Sequence, residues 1–92
     1  MNTAERIAAT LRQSLSAAEV IVEDESALHA GHAGAASGGG HFRVTVVSPQ
    51  FEGRSLVVRH RMVYEALANE MQRAIHALAL TTLTPSQYSS HS

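Results

Sequence analysis

Residues 41–67, HFRVTVVSPQFEGRSLVVRHRMVYEAL, decide the fold because they hold a strand, a turn and much of a helix. Apolar and polar residues alternate over residues 41–48, which predicts a strand with one buried face. Gly53 can adopt the positive φ that the following turn requires, and Ser55 is placed as a helix N-cap. The apolar spacing of residues 56–74 predicts a helix, either continuous or broken into a short turn and a longer part.

The flanking segments complete a small α+β pattern. Residues 3–16 carry a helical apolar stripe behind an N-terminal capping pattern, which predicts an amphipathic helix. The β-branched segment EVIVEDE, residues 19–25, and the segment IHALALTTL, which starts at Ile75, are predicted strands. We therefore expect an α-β-β-α-β two-layer domain, with helices on one face of a three-stranded sheet.

A single domain is expected for residues 1–92, with its core in residues 5–85. Residues 26–40 contain five of the six glycines and have no hydrophobic period, so we predict a mobile loop there. The serine-rich residues 86–92 follow a proline and are predicted to be a frayed tail.

The composition excludes several classes of function. The chain has no cysteine, so it can form neither a disulfide nor a thiol nucleophile, and it cannot hold an all-cysteine cluster by itself. No apolar run approaches the ~20 residues of a membrane span, and no signal-peptide pattern occurs at the start. No phosphate-binding loop or catalytic triad pattern is present either. We expect a soluble, cytoplasmic protein that has no membrane contact and is not an enzyme.

Histidine is unusually frequent, with six in 92 residues. His29 and His32 lie three residues apart in the predicted loop, so a turn of the loop would let both imidazoles approach one metal ion. His41 and His76 are the nearest candidates for further ligands. The alternative is that the loop histidines are simply exposed and that His76 is a structural residue of its strand.

A second candidate site is basic. Residues 41–61 have a net charge of +3, although the whole chain has a net charge of −1. Arginines at a helix start can hold phosphate, which gives a candidate nucleic-acid surface of Gly53, Arg54, Ser55, Arg59, His60 and Arg61. The alternative is a solvated helix face. The string Gly31-His-Ala-Gly34 has the G-x-x-G pattern of a KH module, but it follows a strand inside a loop and is discounted.

Three segments together resemble one known family, the BolA family. They are DESALHAGH (residues 24–32), the opening stretch (residues 41–67) and IHALALTTLTP (residues 75–85). Five features follow the family's order and spacing: the acidic-Ser segment before a loop histidine, the His-Phe strand start, the Phe-x-Gly-x-Ser turn, Arg-His-Arg and a late His-Ala-Leu. The resemblance covers about residues 5–88.

The resemblance implies a class II KH-like fold and a partnership with a monothiol glutaredoxin. A [2Fe–2S] cluster would be shared in that heterodimer between the glutaredoxin, glutathione and histidines of this chain. By motif, the late ligand falls on His76 and the loop ligand on His29, with His32 as the alternative. The isolated chain is expected to hold no cofactor.

The family also includes bacterial transcriptional regulators linked to stress and cell shape. The helix with Arg59, His60 and Arg61 would then face DNA. The sequence leaves open which glutaredoxin is the partner and whether the isolated chain forms a weak homodimer.

Overall fold

The structure is a computed structural model, and it describes residues 1–26 and 40–91 of the chain. The predicted loop histidines His29 and His32 and the discounted G-x-x-G string lie outside these residues. In chain order the elements are α1 (Thr3–Leu15), β1 (Glu19–Asp24), β2 (Gly40–Val47), a 3-10 turn (Pro49–Phe51), α2 (Leu56–Ala66), α3 (Ala68–Arg73), β3 (Ile75–Leu83) and α4 (Pro85–His91).

The first helix, α1, begins at a capping box. The Asn2 side chain accepts a hydrogen bond from the backbone N–H of Glu5, whose own carboxylate accepts one from the backbone N–H of Asn2. These two bonds satisfy N–H groups that a helix start leaves without internal partners. Ile7, Leu11 and Leu15 are buried along one stripe, as the sequence predicts.

The three strands form one mixed sheet with β2 in the centre. The first strand pairs with β2 in antiparallel orientation, and β2 pairs with β3 in parallel orientation. A parallel pair needs a long crossover, which α2 and α3 supply. One face of β2 packs on the helices through Phe42, Val44 and Val46, which belong to the core together with α1 and α2 residues. The predicted α+β architecture is confirmed.

The turn after β2 is held by the buried side chain of Ser48. Its hydroxyl donates to the carbonyl oxygen of Leu15 at 2.6 Å and accepts from the N–H of Gln50 at 3.0 Å. Gly53 has a φ of +72°, as the turn requires. The Ser55 hydroxyl accepts from the N–H of Val58, so Ser55 is the predicted N-cap. The following helical segment is divided at Leu67 into α2 and α3.

The C-terminal end differs from the prediction of a frayed tail, because residues Pro85–His91 form α4. Thr84 and Gln87 make a second capping box: the N–H of Gln87 donates to the Thr84 hydroxyl, and the N–H of Thr84 donates to Oε1 of Gln87. Proline at the first helical position supports this start, since its missing N–H would have no partner there anyway. None of the helices in the described ranges is long and apolar enough to cross a membrane.

Candidate functional site

His76 lies at an irregularity near the start of β3. Gly40 pairs with Ile75, but the next residue of β2, His41, pairs with Ala77. The extra residue is His76, which makes this a β-bulge, and bulges re-aim side chains next to functional sites. The side chains of His76 and Ala77 are both exposed, whereas Ile75 before them is buried.

In a regular strand, His76 would lie on the same side as Leu78 and Leu80, and the bulge changes this. Leu78 and Leu80 pack against the core, as alternation predicts. His76 lies instead on the outer face of the sheet, the face that carries no helix. The alternation is interrupted because β3 has one extra residue, His76, between the residues that pair with Gly40 and His41 of β2. His76 is therefore an exposed imidazole and not a satisfied core histidine.

His41 lies against His76 on this outer face. Their ring centroids are 5.2 Å apart, and the ring planes are tilted by 52°. The backbone of His41 is fixed from the β1 side, since its N–H donates to the Ser26 hydroxyl and its carbonyl oxygen accepts from the N–H of Glu25. The sequence alone gives His41 as only one of several candidate ligands. Its contact with His76 could not be predicted, because that contact depends on the bulge.

Hydrogen bonds order the chain up to the point where it leaves β1. The backbone N–H of Ser26 donates to Oδ1 of Asp24 at 3.0 Å. Hydrogen bonds from the Ser26 side chain and backbone hold the pKa of Asp24 below its usual value, because they stabilise the carboxylate. Glu25 forms a 3.2 Å ion pair with Arg43 on the outer face. The segment with His29 and His32 thus starts from an anchored position near the histidine pair.

A small cavity of about 260 Å³ lies next to this pair and is lined by Glu25, His41, Phe42, Ala77, Leu78 and Ala79. This volume is below the usual range for an enclosed ligand pocket. Among the described residues, no group of three or more His, Cys, Asp or Glu side chains is close enough to hold a metal ion. An exposed imidazole beside a shallow cavity suits a ligand that is held jointly with another molecule.

The candidate nucleic-acid surface needs one correction, which concerns Arg59. Its side chain is buried, and its guanidinium donates hydrogen bonds to three acceptors within the protein. They are the carbonyl oxygen of Arg54 at 3.0 Å, the carbonyl oxygen of Thr82 at 3.2 Å and Oε1 of Gln87 at 3.0 Å. The same guanidinium lies 5.9 Å from the centre of the Phe51 ring. Arg59 is therefore a structural residue, and its guanidinium is not exposed for contact with a nucleic acid.

The other members of this surface remain near solvent. Gly53, Arg54, Ser55 and Arg61 are exposed, and His60 is half-buried. The burial of Arg59 has a signal in the sequence. Arg59, Val63 and Leu67 follow one another at four-residue intervals, and all three are buried. A residue in line with two core positions lies on the buried stripe of its helix.

Comparison with known proteins identifies the family. The model of the BolA-like protein family matches residues 11–87. The chain is 43% identical over 89 residues to Protein BOLA1, chloroplastic, from Arabidopsis thaliana, an alignment that covers 94% of this chain and 56% of that protein. It therefore spans little more than half of that relative's length. The DNA-binding transcriptional regulator BolA of Escherichia coli (strain K12) is 44% identical over 80 residues, with 87% of this chain and 73% of that protein covered.

The fold agrees with this relationship. The solved structure of BolA1 from Arabidopsis thaliana superposes with a TM-score of 0.79 at 39% identity, covering 95% of this chain and 96% of that one. The resemblance seen in the sequence is thereby confirmed. Since the family model spans most of the chain and the architecture matches, the chain belongs to the BolA-like protein family.

Proposed function

We propose that this chain is the partner of a monothiol glutaredoxin and that the two proteins share a bridging [2Fe–2S] cluster in iron–sulfur cluster trafficking or iron homeostasis. The observation that carries the proposal is the exposed imidazole of His76, which the bulge places against His41 on the open face of the sheet. An imidazole held at the surface is accessible to a ligand set that a second protein completes.

The ligands proposed from this chain are His76 and one loop histidine, His29 or His32. The glutaredoxin cysteine and the glutathione thiolate would supply the other two, because the chain has no cysteine of its own. Two imidazoles in place of two thiolates raise the reduction potential of such a cluster.

The remaining residues of the site position these ligands. His41 packs beside the His76 ring and restricts its orientation, and groups that orient a metal ligand commonly strengthen binding. The His41 backbone is held in turn, because its N–H donates to the Ser26 hydroxyl and its carbonyl oxygen accepts from the N–H of Glu25. Asp24 and Ser26 fix the start of the segment that carries the loop histidines.

The test is a titration of this chain into a glutaredoxin loaded with the cluster and glutathione, followed by visible absorption and circular dichroism. We expect a new and stable spectrum at a 1:1 ratio with the wild-type chain and its loss with His76→Ala. His60→Ala is the matched control, because this histidine lies on α2, outside the sheet, and the variant keeps the new spectrum. Single His29→Ala and His32→Ala variants identify the loop ligand. A glutaredoxin spectrum that does not change with the wild-type chain would contradict the proposal, and a full response from His76→Ala would contradict the ligand assignment.

A second candidate function is DNA binding in transcriptional regulation. It is favoured by the similarity to the DNA-binding transcriptional regulator BolA of Escherichia coli and by the exposed side chains of Arg54 and Arg61 on either side of the start of α2. The net charge of −1 at pH 7 does not favour strong binding by the chain alone.

Salt dependence of binding to duplex DNA tests this candidate. If Arg61 contacts a phosphate, Arg61→Met should lower the slope of log K against log salt concentration by about 1. Glu65→Gln is the control, since it changes the charge of the same helix in the opposite sense. No measurable affinity at low salt would exclude DNA binding by the isolated chain.

A further inference from the structure

A side chain takes part in the hydrogen bonding between β1 and β2 at the point where the chain leaves β1. The last register pair of these strands is Asp24 with Phe42. One more backbone bond follows, from the N–H of Glu25 to the carbonyl oxygen of His41 at 2.7 Å. The N–H of His41 then donates to the hydroxyl of Ser26 at 3.1 Å. The Ser26 side chain thus supplies the acceptor that a continued strand would supply from its backbone.

The Ser26 hydroxyl is bonded in two directions. A serine hydroxyl can donate one hydrogen bond and still accept another. Its oxygen accepts from the N–H of His41, and its proton is donated to the Asp24 carboxylate. The backbone N–H of Ser26 donates to Oδ1 of Asp24 at 3.0 Å. Because Asp24 holds the serine through both groups, the hydroxyl is oriented with its acceptor side towards His41.

The bond between Ser26 and His41 joins residues that are 15 positions apart in the chain. The sequence between them contains His29 and His32, the alternative loop ligands of the proposed function. The ring of His41 lies 5.2 Å from the ring of His76, measured between centroids. One hydroxyl therefore connects the residue at which the loop sequence begins with the residue that packs against His76.

We propose that Ser26 is a positioning residue of the candidate cluster site. Its hydroxyl, oriented by Asp24, fixes the backbone of His41, and His41 in turn sets the orientation of the His76 ring. Ser26 acts through His41 and is not itself a ligand. The consequence for cluster binding rests on the proposed function, whereas the effect of Ser26 on the two histidines does not.

The position of Ser26 separates this role from a role in holding the sheet together. The six register pairs of β1 with β2 run from Glu19 with Val47 to Asp24 with Phe42, and Ser26 lies beyond the last of them. The side chain of Ser26 is half-buried and does not belong to the hydrophobic core. Loss of its hydroxyl should therefore disturb His41 and leave the strand pairing in place.

The first test uses the full chain without glutaredoxin and follows amide hydrogen exchange and imidazole resonances by nuclear magnetic resonance. In Ser26→Ala, the N–H of His41 should exchange about fivefold faster, because it loses its acceptor. The ring resonances of His41 and His76 should shift with it. Ser26→Thr keeps the hydroxyl and should retain the exchange rate of the wild type. Unchanged exchange at His41 and unchanged ring resonances in Ser26→Ala would overturn the proposal.

Ser90→Ala is the matched control for the loss of a serine hydroxyl. The Ser90 hydroxyl donates to the carbonyl oxygen of Ser86 on α4 and is exposed, so its removal should not alter the His41 signals. Urea unfolding of Ser26→Ala shows whether the effect is local. A midpoint close to that of the wild type is expected, and a general loss of protection throughout the sheet would overturn the positioning role.

The second test is the titration of the same variants into a glutaredoxin loaded with the cluster and glutathione. Ser26→Ala should bind about tenfold more weakly than the wild type, since groups that orient a metal ligand commonly affect affinity to this extent, and Ser26→Thr should bind normally. Equal binding by Ser26→Ala and the wild type would overturn the positioning role and leave the proposed function intact. A wild-type chain that gives no new spectrum would contradict the proposed function itself, and Ser26 would then be a structural residue only.

Discussion

The two ends of β3 differ in whether the polar side chain there is exposed or buried. At the histidine end, defined by Asp24, Ser26, His41 and His76, an imidazole is exposed on a bulge. At the arginine end, defined by Arg59, Thr82, Thr84 and Gln87, a guanidinium is buried and hydrogen-bonded to three acceptors. One strand therefore runs from a surface-exposed metal-ligand candidate to a network of hydrogen bonds around a buried guanidinium.

This difference would separate the proposed cluster binding from the stability of the fold. Removal of one partner of a buried hydrogen bond leaves the other partner unpaired, so substitutions of Arg59 reduce the stability of the fold. Removal of an exposed side chain at a bulge breaks no hydrogen bond between strands, so the fold should stay nearly unchanged. We therefore expect stability to respond to substitutions at the arginine end and cluster binding to respond at the histidine end.

The largest expected effect is that of Arg59→Met, which keeps the apolar stem but removes the guanidinium. The carbonyl oxygens of Arg54 and Thr82 lose their charged donor, and Gln87 loses one of its hydrogen-bond donors. We expect the free energy of unfolding to fall by about 3 kcal/mol, because hydrogen bonds to charged groups are strong and buried acceptors are left unpaired. Urea unfolding followed by far-ultraviolet circular dichroism measures this change.

Arg61→Met is the matched control, since Arg61 lies two residues further on the same helix and is exposed. Its expected effect is within about 0.5 kcal/mol. Equal losses of stability in the two variants would remove the distinction between a structural and a surface arginine.

A smaller effect at the same end is expected for Thr84→Ala, which removes the hydroxyl that accepts from the N–H of Gln87. Loss of such an N-cap reduces stability by about 1 kcal/mol. Thr84→Ser keeps the hydroxyl and should retain most of that stability. If both variants unfold at the same urea concentration as the wild type, α4 does not contribute to the arginine end.

The main elements of the fold follow from local patterns in the sequence. The alternation of Phe42, Val44 and Val46 predicts a strand, and the Asn2–Glu5 pattern predicts the start of a helix; both are present. The second capping box, Thr84 with Gln87, is the same kind of local signal, so these two residues predict the start of α4 in place of a frayed tail.

The candidate site was less predictable, because it depends on contacts between distant parts of the chain. His76 follows the alternation of its strand in the sequence, and only the pairing with β2 reveals the bulge that reverses its side chain. Arg59 appears basic and helix-initial in sequence, whereas its acceptors Thr82 and Gln87 lie 23 and 28 residues further along. The assignment of His29 or His32 stays a prediction, as both residues lie outside the described ranges.

A third prediction tests whether the histidine end contributes to stability through charge. The pKa of Asp24 is lowered in the folded state by hydrogen bonds from Ser26. Its contribution is therefore fully present above the ordinary pKa of 3.8 and is lost as the pH falls through the lower folded value. Asp24→Asn should be slightly less stable than the wild type at neutral pH, and the difference should vanish in strong acid.

The difference at neutral pH should be small, since Asp24 is exposed and solvent screens the interaction. Unfolding curves at several pH values measure it, with Glu23→Gln as the control on the neighbouring exposed carboxylate. A loss in Asp24→Asn as large as that in Arg59→Met would mean that the histidine end is also a stability network, and the comparison would fail.

The smallest expected effect on stability is that of His76→Ala. This variant gives the clearest test of the difference between the histidine end and the arginine end. The side chain is exposed, its described ring contact is with His41, and the ladder is already interrupted at this residue. We expect the free energy of unfolding to change by less than about 0.5 kcal/mol. Urea unfolding of the isolated variant measures it, and the slope of the transition should also stay unchanged, because the same surface is exposed on unfolding.

The value of this variant lies in the pair of measurements made on it. A chain as stable as the wild type that no longer changes the glutaredoxin spectrum would place His76 in binding alone, because a folding defect could not explain the loss. A strongly destabilised chain would show instead that the His41–His76 contact supports the fold, and the ligand assignment would then need His29 and His32 variants of normal stability. The bulge makes the first outcome the expected one, since it takes the His76 side chain out of the core while Ile75 and Leu78 on either side remain packed.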